Sequence, residues 1–383
     1  MLQMNRIIYL DNASKTIPYP EVVEKYNEIS ATYFANPSSI HALGSRANRE
    51  LELGKEELLR LFKLQNHKVI YVSSATEANN LAIKGAALKY KNRGKHIVTT
   101  AYEHPSVLEA FRQLEEEFGF EVTCLLPNKD GIITADAVSK VIRNDTILVS
   151  IMAVNNEIGA INPISDIAKE LKKYPKVLFH VDAAQEVGKN INPINYNDVD
   201  MITISAHKTH GLIGAGALLI KKGIELLPLL SGGGQEYGLR SGTNDLALAS
   251  AFVTALKISF RDYKKHYEIV KECADILLEY LNNHKDLYEL NLPSKINPYI
   301  INFSTITKKG SVVVEALSNN GIMVSSISAC HSSKEKGSHV VKALGKSEKA
   351  VNNTIRVSLS YLNNKEDIET FIGTLENIIG AIR

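Results

Sequence analysis

The sequence predicts an α/β fold with a largely parallel sheet, followed by a smaller α+β region. Three features predict it. Short runs rich in β-branched residues recur up to residue 220, and several are apolar nearly throughout, as strands covered on both faces must be. Segments with apolar residues at three- and four-residue spacing lie between them. Near residue 245 this alternation gives way to a different texture.

In chain order the expected strands are 68–73 (KVIYVS), 95–101 (KHIVTTA), 120–126 (FEVTCLL), 146–152 (TILVSIM), 176–182 (KVLFHVD), 200–206 (DMITISA) and 216–220 (GALLI). The stretches 77–90 and 105–118 carry helical spacing. A long helix is expected over roughly 245–282, then a strand at 298–305 (PYIINFST) and a helix over GSVVVEALSNNG. IMVSS, a small polar loop, a strand at 355–360 (IRVSLS) and a closing helix complete the chain. The division implied is a large domain over 16–250 and a small one made of 1–15 and 251–383, with the N-terminal arm folded against it.

Composition bounds the function. At 383 residues about two domains are expected. The 44% hydrophobic and 22% charged fractions are those of an ordinary globular chain. A net charge of +2, from 44 basic and 42 acidic residues, gives no footprint for nucleic acid or an anionic membrane. No apolar run approaches the ~20 residues that span a bilayer. The opening MLQMNRIIYLDNASK is not a leader, so the expected location is cytoplasmic.

The three cysteines are too few and too scattered for a disulfide framework or a zinc site. Cys124, in a strand-like run, and Cys273, in a helical pattern, are expected to be small buried hydrophobes. Cys330 lies in SSISACHSSKEKGS, a loop-like stretch where a lone thiol is exposed and reactive.

In open α/β sheets, ligands bind at the carboxyl ends of the strands. Here those ends carry SATEANN, YEH, AVNNEIG, DAAQ and AHKTHG. Asp182 and Lys208 each follow an apolar strand, and either alone reads as a helix cap or a salt bridge. Together they match the needs of pyridoxal 5'-phosphate: an amine for a Schiff base, and a carboxylate that keeps the pyridine nitrogen protonated. His207 and His210, at i and i+3, raise a metal reading, but no carboxylate or Cys stands at ligand spacing nearby. Ser74-Ala75-Thr76 lies between a strand and a helix, where a phosphate is favoured, although Thr76 also reads as an N-cap. GGGQEYGLRSGT (232–243) is Gly-rich but lacks the Lys-Ser/Thr ending of a P-loop.

These residues, in this order, resemble the class V aminotransferase-like enzymes, and among them the cysteine desulfurases of the NifS/IscS kind. The fragments that carry the resemblance run over nearly the whole chain: YLDNAS (9–14), ANPSSIHALG (35–44), SATEANNLAIKG (74–85), EHPSV (103–107), DTILVSIMAVNNEIG (145–159), HVDAAQEVGK (180–189), SAHKTHG (205–211), GGGQEYGLRSGT, SAC (328–330) and IRVSLS. The resemblance implies fold type I of the pyridoxal-phosphate-dependent transferases. It implies Lys208 as the Schiff-base lysine, Asp182 as the pyridinium partner, His104 stacked on the ring and assisting proton transfer, and Gln185 on the ring hydroxyl. Ala75, Thr76, Ser205 and His207 would hold the phosphate, joined by Thr243 from the partner subunit of a homodimer. Asn36, Asn155 and Arg356 would grip the substrate carboxylate. Cys330 would be the nucleophile that takes sulfur from L-cysteine, leaving L-alanine, and passes it as a persulfide to a sulfur-acceptor protein such as an iron–sulfur scaffold or a thiolation enzyme. A related lyase or aminotransferase, for example one acting on selenocysteine with Cys330 inessential, is the alternative. A non-catalytic paralogue is disfavoured by the intact Asp182, Lys208, His104 and Arg356 set. Lys15, Ser74, Tyr237 and Ile327 depart from the family pattern, as does the missing Pro after HKTHG.

Overall fold

The computed structural model describes residues 7–326 and 337–381. After a short β1 (Ile8–Tyr9), seven strands build one sheet: β2 (His67–Val72), β3 (His96–Thr100), β4 (Glu121–Leu125), β5 (Thr146–Ser150), β6 (Leu178–Asp182), β7 (Met201–Ser205) and β8 (Gly216–Lys221). Their order is β2-β8-β7-β6-β5-β3-β4, and only β8 runs antiparallel to its neighbours. Each strand coincides with a run expected from the sequence.

Alternation explains why those runs are apolar throughout. On β8, Ala217 and Leu219 enter one apolar cluster, whereas Leu218 and Ile220 enter another on the opposite face. Val69 and Tyr71 against Ile70 and Val72 do the same on β2. Both faces are covered, so neither can be polar. At the β4 end of the sheet the rule fails: no residue of that strand is fully buried, and Cys124 on it is exposed rather than buried as expected. Cys273 is buried, at 2% exposure.

With six strands running the same way, their carboxyl ends meet along one edge, and helices start there. Ser74 is the N-cap of the helix Ala75–Tyr90, its hydroxyl accepting from the Glu77 amide at 3.2 Å. Ser74, not Thr76, is therefore the capping residue. His104 caps Pro105–Phe118, which stops at Gly119 in the left-handed region (φ 64°).

A second sheet, in the order β12-β10-β9, contains β9 (Tyr288–Leu290), β10 (Ile300–Thr305) and β12 (Thr354–Ser358), all antiparallel, while β11 (Ile322–Met323) pairs in parallel with β1. Its core includes Val270, Cys273 and Leu277 on the long helix Leu246–Asn283 and Phe371 and Leu375 on the closing helix Lys365–Ala381. The other end of the long helix puts Phe252 and Leu256 into the core of the large sheet. After β1 the N-terminal arm crosses the same gap: Asp11 bridges to Ser358, and the amides of Thr16 and Tyr19 bond the carbonyls of His207 and His210. Among the described residues no helix is long and apolar enough to cross a membrane.

Candidate active site

Asp182 ends β6 and Lys208 lies one turn beyond β7, in the 3-10 helix Ala206–Lys208. That turn closes tightly because Gly211 packs on Ala206: a Cβ at 211 would stand 2.8 Å from the Ala206 carbonyl oxygen. Nζ of Lys208 donates to the carbonyls of Ala13 and Ser14, each at 2.5 Å. Burial, and next the Arg356 guanidinium, lower its pKa to about 8 against the pull of Asp11 and Asp182.

Asp182 is buried (5% exposed). Its Oδ2 accepts from Nδ2 of Asn79 at 2.8 Å and its Oδ1 from the Ala184 amide at 3.0 Å. Nδ2 of Asn79 also donates to Oγ of Ser106 (2.9 Å), and that hydroxyl lies 2.8 Å from Nδ1 of His104. The Ser106 amide, which can only donate, points at the same Nδ1 (3.1 Å), so the neutral ring carries its proton on Nε2. The His104 side is open to solvent, yet the protein packed about the ring lowers its pKa, Asp182 opposing and Lys208, His339 and Arg356 adding to the effect. His104 and Thr76 both line a cleft of about 800 Å³ that runs beside the helix Pro105–Phe118.

Gln185 is buried, with Nε2 donating to the Ala13 carbonyl (2.8 Å) and Oε1 accepting from Lys189 (3.1 Å). Ala75 and exposed Thr76 form the first turn of their helix. Oγ of Ser205 lies 2.9 Å from Nδ1 of His207, whose pKa is depressed to about 4, first by burial and then by Lys208, Lys189, Lys15 and His104. His210 is engaged elsewhere: its Nδ1 contacts the Ile17 carbonyl at 2.7 Å.

Arg356 reaches the same place from β12. Its Nη2 donates to Asp11 (2.9 Å) and to Oγ of Ser14 (2.7 Å), its Nη1 donates to the Asn156 carbonyl (3.0 Å), and its Nε is buried without a partner. Ser14 thus touches Lys208 through its carbonyl and Arg356 through its hydroxyl.

Other expected site residues stand apart from this cluster. Asn155 is fully buried and ties two loops together, with Nδ2 on the Tyr102 carbonyl and Oδ1 taking the amides of Glu157 and Ile158. Asn36 is exposed and caps the Ser38 amide at 2.9 Å. Thr243 is exposed after the Gly-rich segment. Cys330 and Ile327 lie outside the described residues. The chain on either side rests on the site: Ser325 pairs with the Arg356 backbone, and Nε2 of His339 lies 2.9 Å from the Glu103 carbonyl.

Sequence reasoning missed Asp11, Ala13, Ser14, Asn79, Ser106 and Lys189. Asn79 left a trace, an Asn inside a helix where it is a poor helix former. Ala13 and Ser14 act through backbone oxygens, which any residue supplies.

The donor set fits pyridoxal phosphate. Among the described residues Asp182 is met only by neutral donors, leaving its charge for a cationic ring nitrogen, and Lys208 is bonded to carbonyls. A helix start with Ser205, His207 and cationic neighbours suits a phosphate.

The comparisons agree. The family model described as aminotransferase class-V matches residues 8–371. A cysteine desulfurase IscS of Dictyoglomus turgidum is 38% identical over 384 residues, covering 99% of this chain and 96% of the relative. A solved NifS-like protein superposes with a TM-score of 0.90 at 31% identity, covering 98% of this chain and 100% of that one. SspA, solved in complex with cysteine, gives a TM-score of 0.79 at 31% identity over 92% of this chain and 98% of its own. The chain belongs to the class-V aminotransferases, among their pyridoxal-phosphate-dependent, NifS/IscS-type cysteine desulfurases.

Proposed function

We propose that the protein removes sulfur from L-cysteine, leaving L-alanine, and passes the sulfur from Cys330 to an acceptor protein. The observation that carries this reading is the meeting of the Lys208 amine and the Arg356 guanidinium on Ser14, together with a buried Asp182 that has no cationic partner among the described residues. An amine, an anion-binding fork and an unmatched carboxylate are the three groups an amino-acid substrate needs from a pyridoxal enzyme.

Pyridoxal phosphate, when bound, supplies a ring that takes up the electron pair left at the substrate Cα. The chain supplies the rest. Lys208 would hold the cofactor and, once displaced by the substrate amine, would remove the Cα proton; its lowered pKa keeps a usable fraction of free amine near neutrality. Asp182 would stand against the ring nitrogen, fixed by Asn79 and the Ala184 amide. His104 would cover the ring and Gln185 would face its hydroxyl. Ala75, Thr76, Ser205 and His207 would hold the phosphate. The substrate carboxylate would replace the Asp11 and Ser14 contacts of Arg356, where the unpartnered Nε offers a further donor. Asn155, next to the Asn156 carbonyl that takes Arg356, and Asn36 are proposed to reach the carboxylate by giving up their present hydrogen bonds. The Cys330 thiolate attacks the substrate sulfur, the C–S bond breaks, and the carbon skeleton takes a proton and leaves as alanine, so the sulfur stays as a persulfide.

The enzyme is proposed to be a homodimer in the cytoplasm, serving an iron–sulfur scaffold or a thiolation enzyme. Support for the dimer comes from bare apolar side chains beside the site residues that one chain leaves out. Phe34 (75% exposed) and Ile40 (101%) flank Asn36, and Leu229 and Leu230 precede the segment that ends in Thr243. A second subunit would cover the apolar residues and bring Thr243 to the phosphate.

The test is product stoichiometry from L-cysteine. Wild type is expected to give alanine and sulfide in equal amounts when a thiol reductant is present. Cys330→Ala is expected to keep the cofactor's visible absorbance and lose sulfide release, whereas Cys124→Ala and Cys273→Ala keep both. Wild-type turnover by Cys330→Ala would overturn the assignment.

A further inference from the structure

Lys189 is buried (6% exposed) in the turn after β6, and among the described residues no carboxylate lies within ion-pair distance. Its one hydrogen bond given by the side chain goes to Oε1 of Gln185, at 3.1 Å. A lysine ammonium has three donors and no acceptor, so it can donate only to the oxygen end of a carboxamide. That choice turns Nε2 of Gln185 the other way, where it donates to the Ala13 carbonyl at 2.8 Å. The same carbonyl receives the Lys208 amine at 2.5 Å. A line of contacts thus runs from a buried amine of no assigned role, through one amide, to the reactive amine.

We infer that Lys189 is a positioning residue that fixes the Gln185 carboxamide with Nε2 toward Lys208 and the cofactor's ring oxygen. The inference rests on the cofactor reading given above. The Ala13 carbonyl and a ring oxygen both call for the NH2 end of Gln185, and Lys189 fixes the opposite end by donating to Oε1. A methionine of similar length would fill the space without an ammonium. Burial depresses the Lys189 pKa to about 7, with Lys208 and Arg356 adding to the effect, so the group is an ammonium below that pH and a neutral amine above it, and both forms keep N–H donors for Oε1. The other titratable groups that feel its charge are His207 and His210.

The experiment uses holoenzyme and follows visible absorbance against pH, reading the midpoint at which the link between Lys208 and the cofactor loses its proton. A donor on the ring oxygen draws negative charge away from that link and so lowers its midpoint. Lys189→Met is expected to raise the midpoint by about half a unit or more, roughly threefold in the equilibrium. Lys189→Gln, which both donates and accepts and so no longer dictates the amide's orientation, moves it the same way and serves if the first variant folds poorly. In a Gln185→Leu background Lys189→Met is expected to shift the midpoint by less than half as much, because the group it acts through is gone. Unchanged midpoints, or equal shifts in both backgrounds, overturn the inference. A wild-type protein with no such band overturns the cofactor reading instead.

Discussion

Removing Asn79 tests whether the carboxylate of Asp182 is held for the cofactor. Asn79 is fully buried, so in Asn79→Ala no water readily replaces its two hydrogen bonds. The bond to Asp182 is charge-assisted and contributes about 1.5–3 kcal/mol, while the one to Ser106 contributes about 0.5–1.5 kcal/mol. Both bonds are made without cofactor, and the one to Ser106 braces the start of the helix Pro105–Phe118, so their joint loss lowers the apoenzyme melting temperature. The Asp182 bond also aligns the carboxylate proposed to meet the ring nitrogen, so its loss is expected to weaken cofactor binding by about 10- to 100-fold. The assay is an equilibrium titration of apoenzyme with pyridoxal phosphate, beside thermal melts of the same samples. Asn79→Asp sharpens the test, since it keeps the size but sets a second acid against Asp182. Two acids at that distance share a proton, which raises the pKa of one of them. Its deficit is therefore expected to shrink as pH falls and the new acid regains a donor. Cofactor affinity within threefold of wild type in Asn79→Ala would refute the role given to this contact.

Two further outcomes follow from the site. Arg356→Lys keeps the charge but loses the planar fork that spans Asp11, Ser14 and the Asn156 carbonyl, so KM for cysteine is expected to rise about tenfold with a smaller change in kcat, and unchanged kinetics would remove Arg356 from the substrate pocket. Lys208 has a pKa depressed to about 8, so it is protonated below that pH and a free nucleophile above it; the rate at which apoenzyme captures cofactor should climb through about pH 8, and a climb centred near the 10.5 of a solvated lysine would contradict the burial that sets this value.

The large sheet was legible because burial on both faces leaves strands that are apolar at every position. What escaped was decided by residues distant in sequence. The helix Ala42–Leu61 buries Ala47, Leu51 and Leu58, but Lys55 is also on the buried face and interrupts the stripe. Lys55 is tolerated there because Glu52 lies 2.9 Å away and Glu236 3.3 Å away. Glu236 belongs to the Gly-rich segment, sits in left-handed backbone (φ 49°), and also accepts from the Tyr71 amide on the sheet's terminal strand. A segment that the sequence marks only as Gly-rich thus closes a sheet edge and neutralises a buried lysine. Tyr237 beside it, one of the departures from the family pattern, stacks under the ammonium groups of Lys55 and Lys68 at 4.7 and 5.1 Å.

In the site itself, the ionisable residues at strand ends were legible, and the groups that set their chemistry were not. Among the influences on the Lys208 pKa, Asp182 comes after burial, Arg356 and Asp11. A direct ion pair between the two would hold the lysine protonated and spend the carboxylate's charge, leaving neither group fit for its task. The fold keeps them apart by giving each a neutral partner. Backbone carbonyls of the N-terminal arm take the amine, and a side-chain amide and a backbone amide take the carboxylate. Carbonyls stabilise an ammonium less than a carboxylate does, so they do not offset the burial and the Arg356 charge that lower the Lys208 pKa, and the donors on Asp182 bring it no positive charge. The arm is held by β11 and Ser358 on one side and by the carbonyls of His207 and His210 on the other. Its position, and with it the reactivity of Lys208, therefore depends on both sheets at once, which no local stretch of the sequence encodes.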